Sequence, residues 1–181
     1  LRRFAHYDYW EDKVRRSVLF DAQADILTYG MGESATLEIA ARLASGTPVS
    51  EITDVRGTCV IGKHPGICAY PRVEVPSFEE VSTSKMAYAR ANMVEYQEHD
   101  AVSGKAIVQK HGDRFLIVNP PAFPLTTQEL DRVAGLPYVR EPHPMYDDQG
   151  GVPAIEEVRF SVTHNRGCFG ACNFCSLAFH Q

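Results

Sequence analysis

The sequence predicts an α/β fold, made of the C-terminal part of a doubly wound domain and a connector that contains a β-hairpin and a helix. Two segments with the apolar spacing of helices flank a short apolar run near residue 26, and this alternation is typical of doubly wound domains. Farther along, two runs rich in β-branched and aromatic residues flank a short loop that contains Gly112, which predicts a hairpin. With 44% hydrophobic and 23% charged residues, the 181-residue chain has the composition of a globular protein that can form a core.

The first predicted unit is a helix, a strand and a turn. Residues 11–21 are predicted to form an amphipathic helix, because their apolar residues share one face. These apolar residues are Val14, Val18 and Leu19. Residues 24–29 contain an apolar run, which predicts a buried parallel strand. Residues 30–33 then turn the chain at two glycines, and doubly wound domains bind ligands at such turns, outside the carboxyl ends of their strands.

The central part of the chain is predicted to contain a strand, a loop and three helices. Residues 34–43 have helical spacing, and residues 57–62 have the composition of a strand. The apolar set of the helix is Leu37, Ile39, Ala40 and Leu43. Residues 63–76 include three prolines and are predicted to form a loop. A short helical turn is predicted at residues 78–81, and a long amphipathic helix at residues 82–99. Its cap is either Ser82 or Ser84.

A hairpin and a short helix follow. The hairpin strands are predicted at residues 106–110 and 114–118, with His111 exposed to solvent in the turn between them. Residues 126–134 are predicted to form a helix that Gly135 ends. Its cap is Thr126 or Thr127.

The last part of the chain is predicted to be a linker that leads into a second domain. Residues 136–153 are rich in Pro, Gly and Asp, so we interpret them as an extended linker. Residues 157–163 alternate apolar and polar side chains, which predicts a strand. The predicted domains are therefore a partial α/β domain at residues 1–135 and the start of a second domain at residues 154–181.

Charge and cysteine content restrict the class of protein. A formal net charge of −5 argues against broad binding to nucleic-acid phosphates. No run of about 18 apolar residues predicts a membrane span, and no secretory apolar region precedes the first motifs. Five cysteines, three of them clustered, suit a reducing cytosol better than a disulfide framework, so we expect a cytoplasmic protein. Of the other two, we expect one buried cysteine and one loop cysteine from Cys59 and Cys68.

The clustered cysteines have the spacing C-x3-C-x2-C. Cys168, Cys172 and Cys175 lie within eight residues, on a loop that contains Gly167 and Gly170. Three thiolates are one short of the usual four around an iron–sulfur cluster. A metal site with one open position can bind a small molecule there. The spacing therefore indicates a [4Fe-4S] cluster with one iron free for a ligand.

Two other interpretations of the same cysteines remain open. Zinc could bind all three thiolates with His164 or His180 as fourth ligand, in a non-catalytic α/β module. Alternatively, Cys172 and Cys175 form a C-x-x-C pair that could act as a redox dithiol or carry free thiols.

The cysteine spacing, with Phe174 just before the third cysteine, resembles that of the radical S-adenosylmethionine (radical SAM) superfamily. Further motifs occur in the order found in its YgiQ family. They are FAHYDYW at 4–10, YGMGE at 29–33, VNPP at 118–121, LPY at 136–138, RFSV at 159–162 and RGCFG at 166–170. The resemblance covers most of the chain. It supplies a cofactor class and leaves the substrate unassigned.

The resemblance implies an enzyme with two cofactors. Cys168, Cys172 and Cys175 would each bind one iron of a [4Fe-4S] cluster, and the fourth iron would bind S-adenosylmethionine, with the backbone at Phe174 beside its adenine. Reductive cleavage of S-adenosylmethionine would produce a 5′-deoxyadenosyl radical. The electron would come from a reductant such as flavodoxin or ferredoxin.

The resemblance also implies an architecture. The doubly wound part would be similar to a cobalamin-binding domain, and residues 154–181 would supply only the first strand and the cluster loop of a (β/α)6 partial barrel. We expect no cobalamin, because the Asp-x-His-x-x-Gly motif that binds cobalt is absent from the sequence. We interpret the chain as a fragment of a longer enzyme and expect it to be inactive alone.

Overall fold

The computed structural model describes residues 2–162, 166–168, 170, 172, 174 and 175. The chain divides into two compact units. The first contains Leu1–Pro124 and Phe169–Gln181, and the second contains Leu125–Cys168. Within the described residues, no helix is long and apolar enough to cross a membrane.

The first unit contains all seven strands found in the described residues. They are β1 (His6–Asp8), β2 (Lys13–Arg15), β3 (Ile26–Thr28), β4 (Thr58–Gly62), β5 (Arg72–Val75), β6 (Ala106–His111) and β7 (Arg114–Val118). Four α-helices connect them. They are α1 (Val18–Asp21), α2 (Glu33–Ala44), α3 (Phe78–Thr83) and α4 (Lys85–Gln97). The α/β class predicted from the sequence is confirmed.

The main sheet has five strands in the order β3-β4-β7-β6-β5. Only β5 and β6 pair in parallel, and the other three pairs are antiparallel. The expectation of a doubly wound parallel sheet is therefore wrong for this unit. In particular, β3 is a half-buried edge strand antiparallel to β4, with Ile26 opposite Val60. An edge strand pairs on one side only, and its hydrogen bonds to β4 set its direction.

Side chains alternate between the two faces of the sheet, as its pleat requires. Helices α1, α3 and α4 and the N-terminal segment contribute buried residues to one face. That core contains Phe4, Ala5, Leu19, Phe20, Cys59, Val75, Val81, Ala91, Ile107, Leu116 and Val118. A smaller cluster on the other face contains Val60, Val108 and Ile117.

The parallel pair β5–β6 is joined through α3 and α4. Both helices confirm the prediction, and Ser84 is the residue that caps α4, with its side chain accepting from the Ala87 N–H. The predicted loop at residues 63–76 is wrong at its end, because β5 pairs there with β6. Prolines flank β5 at positions 71 and 76, where edge strands tolerate them, and this obscured the strand in the sequence.

The predicted helix at residues 11–21 is mostly wrong. A small hairpin of β1 and β2 ends at Arg15, and only α1 is helical. The Asp8 carboxylate accepts the backbone N–H groups of Trp10 and Glu11 and pairs with Arg15, which builds a turn. The spacing of the apolar residues here is compatible with either a helix or a hairpin. The hydrogen bonds of the Asp8 turn therefore decide the local structure.

Helix α2 is confirmed, but its predicted apolar face is not buried. Leu37 is 68% exposed and Leu43 is 47% exposed, whereas Ala35 is buried. Ala35 packs with Ile52 and Val55, and Ile39 lies beside them. The helix contacts a small cluster rather than the main core, so periodicity alone misassigned its buried side.

The hairpin of β6 and β7 is confirmed, with His111 paired to Arg114. The expected exposure of His111 is wrong, since the residue is only 4% exposed. Its ring stacks against Phe20 at 4.6 Å and Phe78 at 5.5 Å between centroids. Helices α1 and α3 supply these two aromatic rings and cover the end of β6.

The second unit contains α5 (Thr127–Ala134), a 3-10 helix at Pro144–Gln149 and α6 (Ile155–Val158). Helix α5 is confirmed, with Thr126 and Glu129 forming a capping box. The predicted strand at residues 157–163 is wrong over its described part, where α6 ends and Phe160 is 92% exposed. A strand needs a neighbouring strand for its hydrogen bonds, and the described part of this unit contains none.

Candidate functional site

The predicted cluster loop lies at the junction of the two units in sequence. Cys168 belongs to the second unit, whereas Cys172 and Cys175 belong to the first. Cys168 and Cys172 are exposed and Cys175 is half-buried. Gly167 has φ +78, in the left-handed region that glycine adopts without strain, and so it bends the chain directly before the first cysteine.

A short backbone turn links the second and third cysteines. The Cys175 N–H donates to the Cys172 carbonyl at 2.9 Å, and the Cys172 thiol points to the Gly170 carbonyl at 3.8 Å. This turn matches the C-x2-C spacing. The described residues contain no group of three His, Cys, Asp or Glu side chains that could hold a metal ion. Cys168 and the other two cysteines belong to different units, and their assignment as ligands of one cluster stays a prediction.

The remaining predicted site residues are only partly described. Phe174, predicted to lie beside the adenine, is 92% exposed. His164 and His180, the alternative zinc ligands, lie outside the described residues. A thiol donor set in an exposed loop fits three irons of a cluster, because thiolates are the usual ligands of iron–sulfur clusters.

The other two cysteines behave as expected from the sequence. Cys59 is fully buried on β4, and burial raises the pKa of its thiol to about 12. Such a thiol stays protonated and is a poor metal ligand or nucleophile. Cys68 is half-buried in a loop, and its thiol points to the Tyr70 carbonyl at 3.5 Å.

Hydrogen bonds and a cation–π contact of Tyr29 stabilise the glycine turn after β3. The Tyr29 N–H donates to the Gly57 carbonyl at 2.8 Å, and the Tyr29 hydroxyl donates to the Asn119 carbonyl at 2.5 Å. The Arg3 guanidinium lies 4.4 Å from the centre of the Tyr29 ring. Because β3 is antiparallel to its neighbour, this turn is not the carboxyl edge of a parallel sheet, and the expected ligand site there loses its basis.

Asn119 lies in the VNPP motif and has a structural role that spacing could not reveal. Its side-chain amide donates to the carbonyls of Thr53 and Val55 and to the Thr58 hydroxyl, at 3.0 to 3.1 Å. These bonds join the end of β7 to the loop before β4. In the sequence, Asn119 stands directly before two prolines, and this pattern indicates the end of a strand. It does not indicate which groups the side-chain amide binds.

Comparison with known proteins relates most of the chain to one family. The sequence model of the family described as Radical SAM N-terminal matches residues 1–161. A UPF0313 protein of Clostridium botulinum (strain Okra / Type B1) is 51% identical over 181 residues, which is 100% of this chain and 28% of the relative. UPF0313 proteins of Geobacter sulfurreducens and Methanocella arvoryzae are 50% and 48% identical over 181 residues, again 100% of this chain and 30% of each relative.

The chain thus spans less than a third of the length of these relatives. No solved structure matches it.

Proposed function

Because the chain belongs to the radical SAM N-terminal family, and its UPF0313 relatives confirm the resemblance to the YgiQ family, we propose that its cysteine loop helps an intact enzyme to bind a [4Fe-4S] cluster and S-adenosylmethionine. The observation that carries the proposal is the donor set. Three free thiols occur at C-x3-C-x2-C spacing, two of them exposed and one half-buried. Thiolates in this number leave one iron of a four-iron cluster without a protein ligand.

The loop residues have separate tasks in this proposal. Cys168, Cys172 and Cys175 would each hold one iron. Gly167, already in the left-handed region, allows the loop to curl, and the turn from Cys175 to Cys172 sets the separation of the last two thiols. The backbone at Phe174, whose ring is exposed, would lie beside the adenine of S-adenosylmethionine. Once held by these residues, the cluster would supply the electron for reductive cleavage of S-adenosylmethionine to a 5′-deoxyadenosyl radical.

The partners of the intact protein follow from the same proposal. They are S-adenosylmethionine, a substrate that this chain does not identify, and a reductant of the flavodoxin or ferredoxin type. Free thiols at all five cysteines suit a reducing compartment, so we place the intact protein in the cytosol.

The test is anaerobic reconstitution of the intact protein with iron and sulfide, followed by detection of 5′-deoxyadenosine after reduction. We expect bound iron and product formation in the parent, and in each of C168S, C172S and C175S a loss of activity of at least roughly 100-fold. C68S is the matched control and should behave like the parent, since its thiol already points to a backbone carbonyl. Stoichiometric zinc without cleavage of S-adenosylmethionine would overturn the proposal.

A further inference from the structure

A cleft in the first unit lies apart from the cysteine loop in sequence and has no role in the proposed chemistry. It has a volume of about 640 Å³ and is bordered by the segment before β3, the 3-10 turn at Val49–Glu51 and the ends of β4 and β7. This volume is within the range of roughly 300–1,000 Å³ that is typical of small-molecule sites.

The charge of the cleft is opposite to that of the chain. Arg16, Lys63 and Arg114 line it, and Asp25 is the one carboxylate among its lining residues. The whole chain, in contrast, has 18 Lys and Arg against 23 Asp and Glu. A cationic cleft on an anionic protein concentrates anions locally.

Two of these cations have no carboxylate partner within the described ranges. Arg16 pairs with Asp21 at 2.7 Å, whereas Lys63 and Arg114 make no ion pair with any described residue. The Arg114 guanidinium lies 5.0 Å from the centre of the Phe20 ring, which holds it at the rim of the cleft. A positioned guanidinium can donate two parallel hydrogen bonds to a phosphate or carboxylate.

Apolar and hydroxyl side chains both line the cleft. Ile52 and Val60, buried at 1% and 3% exposure, are among the apolar lining residues. Ser50 and Thr53 contribute hydroxyl groups to the lining. Apolar side chains combined with a few polar groups are the usual lining of a small-molecule site.

From this arrangement we propose that the cleft binds a small organic anion, with its phosphate or carboxylate at Lys63 and Arg114 and its apolar body against Ile52 and Val60. The lining residues all lie between positions 16 and 114, outside the cysteine loop in sequence, so the cleft would give the first unit a binding role of its own. The ligand class follows from the charges and the apolar lining, and it does not depend on the proposed cluster.

The experiment titrates the intact protein with three probes that share one ring system: 1-naphthyl phosphate, 1-naphthoate and 1-naphthol. The first two carry the two candidate anionic groups, and the third is uncharged. We expect at least one anion to bind at least about tenfold more tightly than 1-naphthol, a difference equivalent to about 1.4 kcal/mol. Whichever anion binds more tightly identifies the preferred group.

Variants then locate the binding. K63Q and R114Q should each weaken binding of the preferred anion by about fivefold to tenfold, since each removes one charged contact. K63R keeps the charge and should bind within about threefold of the parent by the same reasoning. R114K keeps the charge but loses the paired donors of the guanidinium, so its affinity should lie between that of R114Q and that of the parent. K105Q, at an exposed lysine outside the cleft, is the matched control. Equal binding of all three probes, absence of binding at millimolar concentration, or unchanged affinity in both K63Q and R114Q would overturn the proposal.

Discussion

At the residue scale, Gln109 and His111 organise the polar interior of the sheet unit. Gln109 is fully buried, and its Oε1 accepts the Ala5 N–H at 2.9 Å while its amide donates to the Pro76 carbonyl at 3.1 Å. The same Oε1 lies 3.1 Å from His111 Nε2, so this nitrogen carries the ring proton and donates. The His111 imidazole lies between two aromatic rings, and burial lowers its pKa to about 4. The ring is therefore neutral at neutral pH.

The lowered pKa of His111 makes stability depend on pH in a defined direction. The folded pKa, about 4, lies below the ordinary value of 6.5, so the unfolded chain binds this proton first as the pH falls. The stabilisation is complete above pH 6.5 and is lost progressively toward pH 4. At about 1.4 kcal/mol per pKa unit, the loss is roughly 3 kcal/mol. Urea unfolding across this range measures it.

H111F is the comparison for this prediction, because it keeps a ring between Phe20 and Phe78 but does not titrate. As the pH falls from 6.5 to 4, the free energy of unfolding of the parent should fall more than that of H111F. Parallel pH profiles for the two proteins would show that His111 is not held neutral.

Removal of the Gln109 amide should destabilise the fold more than its size suggests. Q109L leaves the Ala5 N–H, the Pro76 carbonyl and His111 Nε2 without their present partner, and each orphaned group costs about 1–3 kcal/mol. We expect the free energy of unfolding to fall by at least roughly 3 kcal/mol in chemical denaturation. Q97L, on the exposed end of α4, should change it by less than about 0.5 kcal/mol. Similar effects of both substitutions would contradict the role of the buried amide.

At the element scale, helix starts follow from short-range chemistry. Ser77 begins α3 with a complete capping box, in which its hydroxyl accepts the Glu80 N–H and the Glu80 carboxylate accepts the Ser77 N–H. The Ser77 N–H bond to the carboxylate lowers the pKa of Glu80, and the Ser77 side chain adds to this effect. The cap matters for the whole unit because α3 contributes the buried Val81 to the main core.

Loss of the α3 cap should therefore be visible in global unfolding. S77A removes the hydroxyl acceptor, and we expect a loss of about 1 kcal/mol in the free energy of unfolding. S82A is a matched change in the same helix, where the exposed hydroxyl only donates to the Phe78 carbonyl. It should cost less than about 0.5 kcal/mol. Equal losses would mean that the cap does not stabilise the unit.

At the scale of the whole molecule, the buried residues of the described part of the chain all lie in the first unit. The described part of the second unit, residues 125–162 and 166–168, contains no buried residue, and Val139, Phe160 and Val162 are more than 80% exposed. Exposed apolar side chains at this density are typical of surfaces that contact other parts of a protein. The relatives are more than three times as long as this chain, which covers 28 to 30% of them.

We expect cleavage of S-adenosylmethionine to need more than this chain. Two of the three loop cysteines are exposed, whereas surrounding groups tune and protect sites of this kind. Under anaerobic reduction, the intact protein should form 5′-deoxyadenosine, whereas residues 1–181 alone should form none above the level of the intact C168S/C172S/C175S protein. Mass spectrometry of 5′-deoxyadenosine measures both. Equal turnover by residues 1–181 would show that the rest of the protein is dispensable.

Much of the local structure and of the candidate site could be predicted from the sequence. The caps of α4 and α5, the hairpin of β6 and β7 and the spacing of the three cysteines depend on residues close together in the chain, and the first two are confirmed. The cationic cleft could not be predicted, because Arg16, Lys63 and Arg114 come from three distant segments.

The sequence by itself determined the α/β class, the positions of α2 and α5 and the spacing of the three cysteines, because these follow from hydrogen bonds and spacing within a few residues. Only the tertiary structure decided the antiparallel pairing of β3, the strand β5 and the burial of His111. Each of these depends on partners far away in the sequence: β4 for β3, β6 for β5, and α1 and α3 for His111. Their free energy comes from contacts that form when the chain is folded, and no local pattern encodes them.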